Sequence, residues 1–472
     1  MSSAYMSVNN HSVRYWSNTQ SAFLLAVFGL SLLCSIWLCA LPLKTEYAFV
    51  VIEPIVYMVG LFFVMLFGGI KGVGSIILVV IFFFKLCVMP IVNHYGDYAS
   101  DIGALFYLNN WELGCVGIAA EWIVCAICLI WYASTSSSGK TKRRNASNVP
   151  GDSPIRHPVL LWATIILTVF VTVCLVVFPN YRYELFPIWG SDTTSLVNGS
   201  GPIFYLFKRA FEIGRILLCF YGAYRLSKSG LKHKRLWIAL VAVISVVVQS
   251  EYRILGFFVA IVIIVKYIFV NDKGRLQWMP IIGFLSFLAV AGIAITTDFG
   301  RSVSTYNISR LCDIYFGGYM QAAASWGVEV PNGIQALLNA VWNETLVLKN
   351  VFGEFLPSVQ TLKYDAFSSM GREFAGRIFF ETAPLCWKTY GILAPLGMAL
   401  PIIVSLKCQA LHQKEQDSLY SMVYLFACTS TAVFVLMYSH DMVLSWLVNY
   451  ILPLCIAVYL DRRYRSKSRN QQ

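Results

Sequence analysis

The chain has 472 residues, of which 58% are hydrophobic and only 13% are charged. Together with a mean hydropathy of +0.65, this excludes an ordinary soluble protein and is typical of proteins that cross a membrane several times. The net charge of +12 would suggest nucleic-acid binding in a soluble protein. Here the basic residues are sorted by loop, which reports membrane topology, and no nucleic-acid partner is expected.

Apolar runs of about twenty residues, the length that a helix needs to cross the hydrocarbon core, recur along the whole chain. They predict about twelve transmembrane helices, at 20–42, 48–68, 73–92, 111–132, 158–178, 205–224, 236–249, 253–270, 279–296, 389–406, 419–437 and 442–459. Residues 1–19 are polar and have no charged region leading to a cleavage site, so the first run is expected to be a retained span. The predicted fold is a single all-α, polytopic membrane domain over residues 1–472.

The loops between these runs predict the orientation. Basic residues concentrate in alternate loops: Lys140, Lys142, Arg143, Arg144 and Arg156; Arg225, Lys228, Lys232, Lys234 and Arg235; Lys273 and Arg275; Lys407 and Lys414; Arg462, Arg463, Arg465, Lys467 and Arg469. The intervening short loops carry almost none. By the positive-inside rule both termini are cytoplasmic, 134–157 is a cytoplasmic linker, and 297–388 is a large loop facing outward.

Ionisable residues inside predicted spans cost several kcal/mol unless they are paired or hydrated, so each is a functional candidate. The sixth span carries four in its outer half: Lys208, Arg209, Glu212 and Arg215. One acid against three bases leaves surplus positive charge, which suggests an anionic ligand. The alternative is an internal ion ladder, with Lys208 extending to the interface. Lys85 and Glu121, in the third and fourth spans, are expected to neutralise each other.

Two very short outward turns also carry polar groups. The turn from Gln249 to Arg253 contains Glu251 and Tyr252, and Arg253 opens the eighth span. The structural interpretation is that Glu251 and Arg253 are ordinary interfacial charges. In the second turn His440 is followed by Asp441. A histidine at a helix end is usually structural, and its pairing with an aspartate is the reason to consider proton transfer.

The outward loop 297–388 is about ninety residues long and is too long to be only a connection. Its first part places Tyr315 on an apolar helical face, whereas Arg310 and Asp313 fall on another. Arg372 begins a later segment in which Glu373 and Arg377 are four residues apart. The loop is therefore predicted to be partly helical. Arginine forks match phosphate oxygens, so the outer surface suits an activated, anionic substrate presented from the lipid.

The chain resembles the Wzy-type oligosaccharide repeat-unit polymerases of bacterial O-antigen and exopolysaccharide assembly. The residues that carry the resemblance are the turn Glu251–Tyr252–Arg253, the helix from Arg310 to Tyr319, the stretch from Gly371 to Glu381, and Tyr390–Gly391–Ile392 with Gly397. The likeness covers most of the chain as an architecture, with short motifs.

The resemblance implies transfer of a glycan from undecaprenyl pyrophosphate to an acceptor sugar hydroxyl, at the outer face of the bacterial cytoplasmic membrane. It implies no metal and no cofactor, with a flippase and a chain-length regulator as candidate partners. The candidates to orient the acceptor are Glu251, Glu373, Asp313 and His440, among which the sequence does not choose. The expected substrate-binding residues are Arg253, Arg215, Arg209, Arg310, Arg372, Arg377, Tyr252 and Tyr315.

Two alternative functions stay open. An O-antigen ligase would use the same donor with a different acceptor. A flippase for lipid-linked oligosaccharides, or another transporter, suits the number of spans. Such a transporter seldom needs so long an outward loop, and no internal repeat of the kind expected for two similar halves is apparent.

Overall fold

The computed structural model describes residues 5–41, 49–67, 70, 72–96, 111–138, 157–182, 202–248, 253–269, 318–326, 382–415, 417–437 and 440–470. Within these ranges the chain is all-helical and contains no strand. This agrees with the predicted fold class. A helix satisfies every backbone hydrogen bond within one segment, which a lipid environment requires.

We number the α-helices in chain order. They are α1 (Tyr5–Ala40), α2 (Ile52–Phe67), α3 (Val73–Phe83), α4 (Met89–Gly96), α5 (Trp111–Ser138), α6 (Pro158–Val177), α7 (Pro202–Lys228), α8 (Lys234–Val247), α9 (Arg253–Ile264), α10 (Tyr319–Trp326), α11 (Thr382–Tyr390), α12 (Ala394–Lys414), α13 (Ser418–Met437), α14 (His440–Trp446) and α15 (Leu452–Asn470).

Eight helical stretches in the described part of the chain are long and apolar enough to cross a membrane. They are Ser21–Ala40, Phe49–Phe67, Val73–Val92, Glu112–Thr135, Pro158–Val177, Ala383–Lys414, Ser418–Val435 and Val443–Lys467. Three more predicted spans are helical as α7, α8 and α9, and of these α8 and α9 are short. The predicted span 279–296 lies outside the described residues. A polytopic membrane protein is therefore supported, and the number twelve stays a prediction.

The centre of the bundle is α13, which packs against α3, α7, α9 and α12. In its membrane-crossing stretch 89% of the residues are buried, against 22% for α6. The large side chains of α6 and α8 are exposed along one face, as expected for helices that meet lipid. Beside α13, the ring of Trp446 stacks on Phe434 at 4.0 Å between ring centroids. Such close aromatic packing fixes the position of the segment that follows α14.

Three π-helical segments interrupt the helices of the described part of the chain. They are Phe84–Val88 between α3 and α4, Val265–Phe269 after α9, and Leu447–Ile451 between α14 and α15. Each one carries a polar side chain that bonds across the bundle: Lys85, Lys266 and Tyr450, respectively. A π-helical turn adds one residue and redirects the following side chains, and such turns are frequent at functional positions.

The helix ends sort into two groups. At one end, Gln409 of α12 accepts from the Ser75 amide at 3.0 Å, and Tyr267, after α9, hydrogen-bonds Ser418 of α13 at 2.7 Å. We call this the inner end, following the predicted orientation. The opposite, outer end includes the contact of Trp326 with the Leu113 carbonyl at 3.0 Å.

The described residues on the two sides of the predicted ninth span lie at different ends of the bundle. Phe269 lies beside the inner-end residue Tyr267, whereas Trp326 lies at the outer end. A ninth span between these two residues, as predicted at 279–296, requires them to lie at different ends. Of the predicted outward loop 297–388, the described pieces are α10 and most of α11, and both pack against α5. The rest of that loop, and most of the linker 134–157, lie outside the described residues.

The orientation of the bundle can be tested with reporter fusions. A reporter that is active only outside the cytoplasm should be active when it is fused after Gly327, which follows α10. The same reporter should be silent after Lys142 or Lys232, because basic loops stay inside. A reporter that works only in the cytoplasm should give the reverse result and serves as the control. Activity of the first reporter at Lys232 would contradict the predicted topology.

Candidate functional site

The outer half of α7 gathers four charged side chains inside the bundle. Lys208, Glu212 and Arg215 are 7%, 0% and 6% exposed, and they recur on one helical face. Arg209 Nη1 lies 2.9 Å from Glu212 Oε2. The Tyr450 hydroxyl donates to Glu212 and accepts from Arg209. The single acid among these four side chains is therefore engaged by Arg209 and Tyr450.

Arg215 has the least satisfied guanidinium of this cluster. Its Nη1 donates to the Val248 carbonyl, and its Cζ lies 5.6 Å from the centroid of the Phe211 ring. Within the described residues, the buried Nε and Nη2 atoms have no hydrogen-bond partner. A buried donor without an acceptor costs about 1–3 kcal/mol. The side chain therefore presents N–H groups to an acceptor that the described part of the protein does not supply.

The helical hairpin beside Arg215 is short. Helix α8 has 14 residues, which corresponds to about 21 Å, against about 30 Å for the hydrocarbon core. Its last turn meets Arg215 at Val248, whereas α7 continues outward from Arg215 to Pro202 for about another 20 Å. The end of α8 at Val248 therefore lies deeper in the bundle than the outer end of α7. Gly256 permits the close approach of the two helices, because a Cβ atom there would collide with the Ser245 carbonyl.

Aromatic rings line α7 on the outer side of Arg215. Tyr181, after α6, lies 5.0 Å from the Phe207 ring, and Phe207 stacks on Phe211 at 6.3 Å. Val248 packs against the same cluster. An apolar wall beside a charged group excludes water and lowers the local dielectric constant, which strengthens the interaction of Arg215 with an anion.

His440 is placed at the outer end by α14. Its Nε2 shares a hydrogen bond of 2.9 Å with the Tyr390 hydroxyl at the end of α11, and the residue is 6% exposed. His440 and Tyr450 are about 15 Å apart along one helical run. The histidine therefore lies outward of the α7 cluster and is not part of it. The side chain of Asp441 lies outside the described residues.

The ion pair predicted between the third and fourth spans is present. Lys85 Nζ lies 3.6 Å from Glu121 Oε2, and both side chains are buried. The other carboxylate oxygen, Glu121 Oε1, accepts a hydrogen bond of 2.6 Å from the Ala383 amide at the start of α11. The sequence indicated the pair, but not this third partner.

Three of the predicted site residues have described side chains: Arg209, Arg215 and His440. Arg253 begins α9, and its side chain lies outside the described residues. The remaining candidates also lie outside them: Glu251, Tyr252, Arg310, Asp313, Tyr315, Arg372, Glu373 and Arg377. Tyr450 bonds to Arg209 and is not among the predicted site residues, because a tyrosine in an apolar run carries no local signal that distinguishes it from core. Tyr390, which the sequence singles out only through the family resemblance, bonds to His440.

A second charged cluster lies at the inner end. His157 Nδ1 lies 3.0 Å from Asp461, and its Nε2 lies 3.3 Å from Asp417. Burial acts to lower the pKa of His157, but its contacts with the two carboxylates outweigh burial and raise that pKa above its ordinary value. Burial acts to raise the pKa of Asp417, but His157 and Arg465 hold it below its ordinary value. Tyr420 also donates to Asp461. Acids and bases are matched here.

Among the described residues, no group of three or more histidine, cysteine, aspartate or glutamate side chains could hold a metal ion. The chain was also compared with known proteins. No family model, no curated protein and no solved structure matches it.

Proposed function

We propose that this chain is an integral-membrane glycosyltransferase that polymerises lipid-linked oligosaccharide repeat units at the outer face of the bacterial cytoplasmic membrane. It transfers the growing glycan from undecaprenyl pyrophosphate to a sugar hydroxyl of the next lipid-linked unit. The observation that carries the proposal is the guanidinium of Arg215, which is buried beside Val248 at the end of α8, with Nε and Nη2 unpaired among the described residues. A lipid-linked pyrophosphate is an anion that can reach this depth from the bilayer.

The proposed glycan transfer requires chemical groups that these residues can supply. The bond between the anomeric carbon and the pyrophosphate oxygen breaks, and the acceptor oxygen forms the new bond to that carbon. The hydroxyl proton leaves, and the undecaprenyl pyrophosphate departs with the bonding electron pair. Fixed cations stabilise that developing negative charge. In the proposal Arg215 and Arg253 bind the pyrophosphate, together with one or more of Arg310, Arg372 and Arg377.

Arg209 has a different role in this proposal. Its contacts with Glu212 and Tyr450 hold it in place, so it contributes positive potential near the pyrophosphate. The acceptor hydroxyl needs a base or an orienting acceptor, and Glu251, Glu373, Asp313 and His440 remain the candidates. His440 is the one whose partner is described, namely Tyr390.

The two alternatives differ in what they require of the same site. A ligase would bind the same pyrophosphate and differ only in its acceptor. A flippase would carry the anion between the two ends of the bundle. The Arg215 guanidinium, with Nε and Nη2 unpaired among the described residues, lies in the outer half of α7, and the inner cluster around His157 has matched charges. This distribution favours an enzyme that acts at one face.

The proposal can be tested with the purified full-length protein in liposomes. The substrate is the lipid-linked oligosaccharide extracted from the source strain, and EDTA is present throughout. The expected products are glycans of two or more repeat units and free undecaprenyl pyrophosphate, both followed by mass spectrometry. Transfer of a single glycan only to a non-identical acceptor would establish a ligase. Translocation of the substrate without any product would overturn the proposed function in favour of a flippase.

A further inference from the structure

The buried pair Lys85–Glu121 does more than neutralise two charges. A buried ion pair contributes little net stability compared with apolar side chains of the same volume. Here Glu121 makes a second contact, because its Oε1 accepts the N–H of Ala383 at 2.6 Å. A carboxylate at a helix N-terminus is favourable, since it accepts from free amides and complements the helix dipole. Glu121 therefore caps α11 from a neighbouring helix.

Helix α11 is held at both of its ends. It starts inside the bundle, where Ala383 is fully buried, and runs outward for nine residues. Near its far end Lys388 donates to the Trp326 carbonyl of α10, and Tyr390 hydrogen-bonds His440. At Gly391 the backbone adopts a φ of 56°, which glycine tolerates best. The chain then returns inward as α12.

Helix α10 begins at about the same depth in the bundle as α11. Gly318, the residue before it, has a φ of 152°, and a Cβ there would lie 3.5 Å from Met89 and 4.0 Å from the Lys85 carbonyl. Gly114 of α5 permits the close approach of α10, since a Cβ at that position would collide with the Tyr319 carbonyl. Both helices thus start beside the segment that holds the ion pair. The chain between them, 327–381, contains Arg372, Glu373 and Arg377.

We propose that the Lys85–Glu121 pair is a positioning device that seats the inner ends of α10 and α11 and thereby sets the place of His440. Lys85 Nζ lies beside one oxygen of the Glu121 carboxylate, and the other oxygen accepts the N–H of Ala383. Because α11 is a rigid rod about 13 Å long, a displacement at Ala383 is passed to Tyr390 and His440. A misplacement of about 1 Å at a reacting group can cost about a hundredfold in rate.

Two double variants isolate the cap. Both E121Q/K85M and E121L/K85M remove the two charges with side chains of similar size, but only glutamine keeps an oxygen that accepts from Ala383. We expect hydrogen exchange of residues 382–390 and 318–326 to be at least about tenfold faster in E121L/K85M than in E121Q/K85M. Exchange of α6, which packs mainly against α7 and α15, should be equal in the two proteins and serves as the control.

The activity measurement rests on the proposed function, whereas the exchange measurement does not. In the polymerisation assay E121L/K85M should lose at least about tenfold in kcat with an unchanged KM for the lipid donor, because the α7 cluster is untouched. E121Q/K85M should keep most of the wild-type kcat. If the wild type makes no polymer, the proposed function fails and the exchange result still decides the inference.

Equal exchange rates of α10 and α11 in the two double variants would overturn the inference. If E121L/K85M is not obtained as a folded protein, Ala383→Pro removes the N–H donor and sets the proline ring against the Glu121 carboxylate, at a position in the first helical turn where the helix backbone tolerates proline. Faster exchange of 382–390 in Ala383→Pro than in wild type would then support the proposal. An unchanged rate would refute it.

Discussion

Replacing Arg215 by methionine is expected to abolish polymer formation and to leave the protein at least as stable as the wild type. The guanidinium is buried with Nε and Nη2 unpaired among the described residues, so its removal relieves an unfavourable burial of polar groups. The same donors would stabilise the leaving pyrophosphate, and loss of one such donor costs about a hundredfold or more in kcat. Polymer yield per molecule and the thermal midpoint in detergent are the two measurements.

A combination of lost activity and retained stability distinguishes a ligand site from a packing role. Arg225→Met is the matched control, because Arg225 lies exposed on the same helix and should change neither quantity. Arg215→Lys keeps the charge but loses the planar fork, so we expect an intermediate loss of about tenfold. The interpretation is wrong if Arg215→Met lowers the thermal midpoint by many degrees while the folded protein still polymerises at the normal rate.

Substitution of Arg253 should have an effect of similar size. Arg253 begins α9 and follows closely in the chain after Val248, whose carbonyl accepts a hydrogen bond from Arg215. A charge-assisted fork to phosphate is stronger than a neutral hydrogen bond, and lysine retains only the charge. We expect Arg253→Lys to impair polymerisation strongly and Arg253→Ala to nearly abolish it. Polymer amount and length are read from a gel ladder, with the protein level checked in the same membranes.

The competing interpretation is that Arg253 only anchors its helix at the interface, a task that lysine performs about as well. Lys232→Ala, an exposed basic residue at the inner end, is the control and should leave the polymer unchanged. Polymer of normal amount and length from both Arg253→Lys and Arg253→Ala would remove Arg253 from the site. It would also leave Arg215 without its proposed partner at the hairpin.

The features that depend on a single segment of the chain could be predicted from the local sequence. Eight of the predicted spans coincide with helices able to cross a membrane, because lipid forces apolar runs of this length into helices. The charges of α7 and the pair Lys85–Glu121 were also recognisable, since an ionisable side chain within an apolar run is conspicuous. The sequence also predicts which helix ends lie on the same side of the membrane, because successive spans alternate in direction.

The partners of those charges were decided only by the tertiary structure. Tyr450 bonds Glu212 across 238 positions of the chain, and Ala383 bonds Glu121 across 262 positions. The π-helical segment that carries Tyr450 differs from an α-helix by one residue per turn, which hydrophobic periodicity does not resolve. The inward start of α10 depends on glycine contacts with α4 and α5, and that of α11 depends on the Glu121 carboxylate. Periodicity reports which face of a helix is buried, whereas the packing of neighbouring helices selects the residue that each side chain meets.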